Sequence, residues 1–186
     1  MKILALAATI SRGSINQVFV SYAAKLLQQD ITPTAEVTFV DLNDYEMPIY
    51  SIDRERETGI PGPAQDLFTK IGAVDGVLIS FAEHNGSTTA AWKNVFDWMS
   101  RIEMKVFQGK PMVMLAASPG GRAGAGVLGG QQTILPHFGA EIVATLGIGS
   151  WGKAWDADTQ TLTRPEDVTA LGHALSALSP NAVEKK

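Results

Sequence analysis

The chain has no cysteine, which excludes disulfide bonds, thiolate metal sites, a cysteine nucleophile and dithiol redox chemistry. It also lacks any block of Lys or Arg, and its formal net charge is -4 at pH 7. Both features argue against a nucleic acid or an anionic membrane surface as partner. Nowhere does the sequence contain the roughly 20 consecutive apolar residues that a membrane-spanning helix needs. We therefore expect neither a nucleic acid nor a membrane as partner.

The composition is that of an ordinary globular protein. The chain has 186 residues, of which 45% are hydrophobic and 18% are charged. This length predicts a single domain over residues 1–180, followed by a frayed tail over residues 181–186. The start, Met1-Lys2 and then an apolar run to Ile10, has some features of a secretory signal, but the run is short and leads directly into a polar turn. Together with the missing cysteine, this favours a cytoplasmic location.

The hydrophobic pattern alternates between strands and helices. Short apolar runs predict buried strands over residues 3–8, 37–40, 76–81, 111–117 and 141–146. Helical spacing predicts helices over residues 15–27, 64–71, 87–101 and 126–138, and a closing helix over residues 165–178 with Thr163 as its N-cap. Residues 43–63, which are rich in Gly, Pro and charge, predict one long loop.

This order of elements predicts an α/β fold. Five strands joined by right-handed helical crossovers form a doubly wound parallel sheet with helices on both faces, and the flavodoxin-like strand order 2-1-3-4-5 suits five strands. In such a sheet, ligands bind beyond the carboxyl ends of the strands, near the point where the strand order reverses.

Three polar, glycine-bearing turns follow the predicted strands 1, 3 and 4, over residues 9–16, 83–87 and 118–124. Their position at one sheet edge predicts that they converge on one ligand crevice. The first turn opens a helix, and the unpaired amides and the dipole of a helix start favour a phosphate. Taken alone, this turn is better explained by Ser14 capping the helix.

Two stretches carry a family resemblance. Residues 83–87, Glu-His-Asn-Gly-Ser, and residues 92–98, Trp-Lys-Asn-Val-Phe-Asp-Trp, resemble the Pro-Glu-Tyr-Asn-Gly-Ser and Leu-Lys-Asn-x-x-Asp-Trp signature of the NAD(P)H-dependent FMN reductase family of the flavodoxin-like superfamily. Residues 118–123 resemble the ring-side loop of that family, and residues 47–50 with Asp53 resemble its Leu-Pro-x-Tyr-x-x-Asp segment. The chain departs from the family where Arg12 comes one place late in the first turn, and at His84, where the family has a tyrosine.

The resemblance implies a site for FMN, with the phosphate at the first turn and the flavin ring at the other two. The residues expected to bind the cofactors are Thr9, Ser11, Arg12, Ser14, Ile15, Asn16, Glu83, His84, Asn85, Gly86, Ser118, Gly120, Gly121 and Arg122. No catalytic or metal-binding residue is expected, because the flavin itself undergoes the redox change. Lys93 and Asp97, four residues apart, are expected to form an ordinary intrahelical pair.

The activity implied by the resemblance is transfer of hydride from NADPH or NADH through FMN to a small electron acceptor such as a flavin, a quinone or an azo compound. The family also implies a homodimer or homotetramer. An open pocket over the flavin, walled by Arg122 and by Tyr50, would take nicotinamide and acceptor in turn. Two alternatives remain open: an FMN-binding electron carrier of flavodoxin type without nicotinamide activity, and a family member that has lost FMN.

Overall fold

The computed structural model describes residues 1–178, so the predicted tail over residues 181–186 lies outside the described residues. The elements along the chain are β1 Lys2–Ala7, α1 Ile15–Leu26, β2 Glu36–Val40, α2 Ile52–Thr58, α3 Gly62–Gly72, β3 Gly76–Ser80, α4 Ala90–Ile102, β4 Pro111–Ala117, α5 Ala125–Ile134, β5 Glu141–Ile148, α6 Trp151–Ala154, β6 Trp155–Asp156, β7 Thr161–Leu162 and α7 Pro165–Ser176. Short 3-10 turns cover Leu42–Tyr45 and Leu135–Phe138, and a π-helical turn, Leu27–Ile31, extends α1.

The sheet has five parallel strands in the order β2-β1-β3-β4-β5, as predicted. Alternate residues of each central strand point to opposite faces and form two separate cores. Leu4 and Leu6 belong to the core under α3, α4 and α5, whereas Ile3 and Ala5 belong to the core under α1 and α7. Because helices cover both faces, the carboxyl edge of the sheet is where the turns after the strands can form a site.

The prediction of one loop over residues 43–63 is wrong. This stretch contains α2, whose N-cap Ser51 accepts a hydrogen bond from the Arg54 N–H through Oγ at 3.2 Å, with Asp53 and Glu55 in the first turn. Pro61 and Pro63 lie at the start of α3, where a proline costs no backbone hydrogen bond. The prolines and glycines that indicated a loop therefore separate two helices.

The segment before α2, residues 47–50, is hydrogen-bonded to α4. The Trp98 indole N–H donates to the Pro48 carbonyl at 2.7 Å, and the Tyr50 N–H donates to Asn94 Oδ1 at 2.9 Å. The Asn94 amide also donates to the Met47 carbonyl at 3.1 Å. Residues of the 92–98 signature thus hold this segment in place, and Trp98 itself is fully buried.

The region after β5 contains an antiparallel hairpin, β6–β7, that the sequence pattern did not predict. Thr163 was expected to cap α7, but its hydroxyl donates to the Lys153 carbonyl at 2.8 Å, and Arg164 occupies the cap position without a side-chain capping bond. Thr163 therefore joins α6 to the strand that precedes α7. None of the described helices combines the length and the apolar character needed to cross a membrane.

Candidate functional site

The turn after β1 leads directly into α1. Ser14 caps this helix, since its Oγ accepts a hydrogen bond from the Asn16 N–H at 3.2 Å. Ahead of the cap, Arg12 and Gly13 are exposed. The N–H groups of Arg12, Gly13 and Ile15 have no hydrogen-bond acceptor among residues 1–178, and the first turn of α1 contains no acidic residue. Free N–H donors at the positive end of a helix dipole make this turn suitable for an anion.

Thr9 and Ser11 shape the same turn. Thr9 is buried, and its Oγ1 accepts a hydrogen bond from the Ser11 N–H at 3.1 Å. Ser11 is exposed, and its hydroxyl is free among the described residues. Ser11 can therefore offer its hydroxyl to a ligand, whereas the Thr9 side chain fixes the backbone.

The side chain of Asn16 is directed at the sheet edge. It is buried, with an exposed fraction of 3%, and its Oδ1 accepts hydrogen bonds from the Ala117 N–H at 2.8 Å and from the Ser80 hydroxyl at 2.9 Å. Its Nδ2 donates to the Ala117 carbonyl at 3.1 Å. Asn16 was expected to contact a phosphate, but its side chain joins α1 to the ends of β3 and β4. A phosphate at this turn would depend on Asn16 for the position of the turn.

The turn after β3 is a tight two-residue turn. The His84 N–H donates to the Ser87 carbonyl at 2.9 Å, the Ser87 N–H donates to the His84 carbonyl at 3.1 Å, and Asn85 and Gly86 have φ values of 53° and 78°. Two consecutive positive φ values are typical of a type I′ turn, for which Asn-Gly is the preferred pair. The His84 N–H is thus used inside the turn, whereas the N–H groups of Asn85 and Gly86 find no acceptor in the described part of the chain.

The turn after β4 rests on the segment that follows β5. The Ser150 N–H donates to the Gly120 carbonyl at 2.9 Å, and the Trp151 N–H donates to the Ser118 carbonyl at 3.0 Å. Ser118 Oγ accepts a hydrogen bond from the Gly120 N–H at 3.2 Å. These bonds hold the turn against the segment that follows β5, and the side of the turn that faces away from this segment stays open.

The outer surface of this third turn carries free donors. Gly121 and Arg122 are exposed, and the structure gives no acceptor within residues 1–178 for their N–H groups. The Arg122 guanidinium likewise forms no ion pair with any described residue. Arg122 is therefore a cation available to a ligand.

The three turns are held side by side, as the sequence predicted. Besides Asn16, two further side chains connect them. The Glu83 carboxylate accepts a hydrogen bond from the Val127 N–H in the first turn of α5 at 2.9 Å. The Thr89 hydroxyl donates to the Ala8 carbonyl at 2.9 Å and also accepts from the Trp92 N–H, which caps α4.

Ser80 and Thr89 were missed as contributors to this edge. Thr89 had a local signal, since a hydroxyl residue directly before an apolar helix is typical of an N-cap. Ser80 had no such signal, because its partner Asn16 is 64 residues away in the chain.

Two residue pairs in the surroundings of the site have defined contacts. Lys93 Nζ pairs with Asp97 Oδ1 at 2.6 Å on an exposed part of α4, which confirms an ordinary intrahelical ion pair. Tyr50 packs edge-on against Trp98, with ring centroids 5.0 Å apart, and its hydroxyl donates to Glu55 Oε2 at 3.1 Å. Burial and this hydrogen bond raise the pKa of Tyr50 above its usual value. Tyr50 is thus packed against α4 and the adjoining α2.

A cleft of about 290 Å³ adjoins the first turn. It is lined by Ile10 from that turn, by Met47 and Ile49 from the segment before α2, and by Ala90 and Asn94 of α4, among others. Ile10 and Ile49 are exposed at 49% and 76%. Among residues 1–178 no three His, Asp or Glu side chains are grouped in a way that could hold a metal ion.

Comparison with known proteins identifies relatives of this chain among characterised reductases. The chain is 28% identical over 125 residues to a quinone reductase of Escherichia coli strain K12, a match that covers 67% of the chain and 64% of the relative. It is 29% identical over 120 residues to an NAD(P)H-dependent FMN reductase of Pseudomonas aeruginosa, covering 64% of the chain and 61% of that protein. The match thus spans less than two thirds of the length of these curated relatives.

Solved structures show the same fold. A flavoenzyme NAD(P)H:(acceptor) oxidoreductase from Paracoccus denitrificans superimposes with a TM-score of 0.75 at 22% identity, over 95% of this chain and 94% of that one. An azoreductase from Bacillus anthracis gives a TM-score of 0.63 at 16% identity, over 96% and 98% of the two chains. The family model described as NADPH-dependent FMN reductase matches residues 1–153. The chain therefore belongs to the NADPH-dependent FMN reductase family.

Proposed function

We propose that the protein is an FMN-dependent oxidoreductase that passes hydride or electrons from NADPH or NADH to a small acceptor such as a flavin, a quinone or an azo compound. The observation that carries the proposal is the set of free N–H donors on three turns that the protein holds together at one sheet edge. Relatives named as quinone reductase and FMN reductase support the same class of activity.

The residues of the first turn fit a phosphate. The free N–H groups of Gly13 and Ile15, the Ser11 hydroxyl and the Arg12 guanidinium are the donors, and the first turn of α1 adds its dipole. Ser14 caps the helix, and Thr9 and Asn16 hold the turn in place through their buried side chains.

The other two turns fit the polar edge of a flavin ring. Free N–H groups at Asn85, Gly86 and Gly121 can donate to ring oxygen and nitrogen atoms, and His84 adds a flat, exposed ring in the same turn. When bound, FMN supplies the redox chemistry, accepting a hydride and releasing electrons to the acceptor. The protein binds and orients, and no side-chain acid or base is required.

Nicotinamide and acceptor would use one open pocket in turn, so we infer ping-pong kinetics. Arg122 is exposed at the rim of the third turn and is suited to pair with a phosphate of the nicotinamide cofactor.

We further infer that the protein forms a homodimer or homotetramer. Helix α2 buries none of its residues in the chain, and its Ile52 is 52% exposed. Its Ile52, and Ile10 and Ile49 at the neighbouring cleft, are exposed apolar side chains of the kind that interfaces use. A cytoplasmic location is also proposed, supported by the absence of cysteine.

The proposal is tested by titrating the apoprotein with FMN and, as a matched ligand without phosphate, with riboflavin. FMN should bind more tightly than riboflavin by about 1 to 3 kcal/mol for each charge-assisted hydrogen bond to the phosphate. Ser14→Ala removes the cap that holds the first turn at the start of α1, so it should weaken FMN binding and leave riboflavin binding unchanged. Equal affinities for the two ligands would remove the first turn from the site, and failure to bind either would support a chain that has lost FMN.

A further inference from the structure

Helix α5 is capped from a distant part of the chain. Its N-cap residue, Gly124, has a left-handed conformation and no side chain to offer. The Val127 N–H in the first helical turn donates instead to Glu83 Oε2 at 2.9 Å, across 44 residues of sequence. A carboxylate at a helix start satisfies a free donor and is stabilised by the helix dipole. Glu83 thus supplies the cap that α5 lacks.

The contact leaves little space for a side chain at position 126. A Cβ atom added at Gly126 would lie 3.0 Å from Glu83 Oε2 and 3.0 Å from the Gly86 carbonyl oxygen. Gly86 belongs to the type I′ turn over residues 84–87, so this turn and the start of α5 pack directly on each other. The turn after β3 and the helix that follows the turn after β4 are therefore joined as one unit.

The Glu83 charge is not neutralised by any described side chain. The ion pairs within residues 1–178 join other residues, and the Lys93 amino group on the neighbouring α4 is paired with Asp97. The carboxylate is half-buried, so solvent screens it only in part. A negative charge is consequently held between the two turns that, in the proposed function, hold the flavin ring.

We propose that Glu83 is a positioning residue for the bound flavin: its carboxylate fixes the turn over residues 83–87 against α5, and its unpaired charge makes reduced flavin less stable at this site. This inference rests on the proposed function. A negative charge near the ring opposes the extra electron density of the reduced flavin, and loss of the hydrogen bond would let the two ring-side turns separate.

Two variants of Glu83 separate its two roles. Glu83→Gln keeps a side-chain oxygen for the Val127 N–H and removes the charge, so FMN affinity should stay within about threefold, while the midpoint potential of bound FMN should shift to a higher value. Glu83→Ala loses the hydrogen bond as well, so FMN affinity should fall by about tenfold or more.

Gly126→Ala tests the contact without changing Glu83. The added methyl group should push the turn over residues 84–87 away from α5 and so weaken FMN binding. This effect is expected even though alanine has a higher helix propensity than glycine. Gly129→Ala is the matched control in the same helix, because a Cβ there meets no atom within 4 Å, and its FMN affinity should be that of the wild type.

The readouts are the dissociation constant of FMN, the midpoint potential and the thermal unfolding of the apoproteins. If both Glu83→Ala and Gly126→Ala lower only the thermal stability and leave FMN affinity and potential unchanged, Glu83 is a structural cap and the inference is overturned. A wild-type protein that binds no FMN would overturn the proposed function together with this inference, so the two failures are distinguishable.

Discussion

Asn16 pairs with both backbone groups of Ala117, accepting from its N–H at 2.8 Å and donating to its carbonyl at 3.1 Å. This is the pairing that a residue of an antiparallel strand would make, provided here by one buried side chain from α1. The same Oδ1 accepts from the Ser80 hydroxyl, so one amide fixes the ends of two strands relative to the first turn. The geometry of the crevice therefore depends on Asn16.

Replacing Asn16 by alanine should destabilise the apoprotein. The buried N–H and carbonyl of Ala117 would lose their partner, and we expect the free energy of unfolding to fall by about 2 to 3 kcal/mol. Ser14→Ala removes a helix cap and should cost about 1 kcal/mol. Urea unfolding measures both. If Asn16→Ala does not fold, Ser80→Ala removes one of the three bonds and should show a smaller loss, and an unchanged stability in both variants would contradict this role.

Much of the fold could be predicted from the sequence because buried parallel strands are continuous apolar runs, and the turns between them are marked by glycine and hydroxyl residues. Helix α2 was missed although its capping serine and acidic first turn were present, since neighbouring Gly and Pro residues indicated a loop. The site was predicted as three turns, but not as a connected unit. The bonds of Asn16 to Ala117 and of Glu83 to Val127 join residues 101 and 44 apart, and no local pattern specifies such partners.

Arg122→Ala should impair use of the nicotinamide cofactor. Because Arg122 is exposed and unpaired among the described residues, its loss should not disturb the fold, and KM for NADPH should rise more than KM for the acceptor. Steady-state kinetics with each substrate varied in turn is the measurement. Lys153→Ala, an exposed cation on α6, is the control and should leave both constants unchanged. Equal effects of Arg122→Ala on both substrates would show that Arg122 does not contact the nicotinamide cofactor.

Association should depend on the apolar surface around Ile49. Sedimentation at micromolar concentration should show a dimer or tetramer for the wild type, and Ile49→Asp should shift it towards monomer, because a charge would be buried without a partner. Ile134→Asp, at an exposed isoleucine at the end of α5, should leave the oligomer intact. A monomeric wild type would refute the assembly, and an equal effect of both variants would refute the surface.

Acid should weaken a cluster around Asp66. Hydrogen bonds from Lys70 Nζ and from the Tyr45 hydroxyl, each 2.7 Å long, lower the pKa of Asp66. As the pH falls, the unfolded chain, in which Asp66 has its ordinary and higher pKa, takes up a proton at Asp66 before the folded protein does. The contribution of this cluster to the stability of the fold is therefore present above about pH 4 and is lost below it.

The contribution should not exceed about 1 kcal/mol, because the side chains of Asp66 and Lys70 are about half exposed and solvent screens their charges. The check is the difference in unfolding free energy between wild type and Asp66→Asn, which should shrink between neutral pH and acid. Asp30→Asn, at an exposed carboxylate without an ion pair among the described residues, should show no such trend. A constant difference for Asp66→Asn would rule out this source of acid sensitivity.

The most direct test of the proposed activity is to reconstitute the protein with FMN, remove oxygen and add NADPH or NADH while recording flavin absorbance. We predict that the yellow absorbance bleaches and returns when a quinone is added, in two separable half-reactions. A flavin that stays bound and oxidised with both nicotinamide cofactors would contradict the account and identify the protein as an electron carrier.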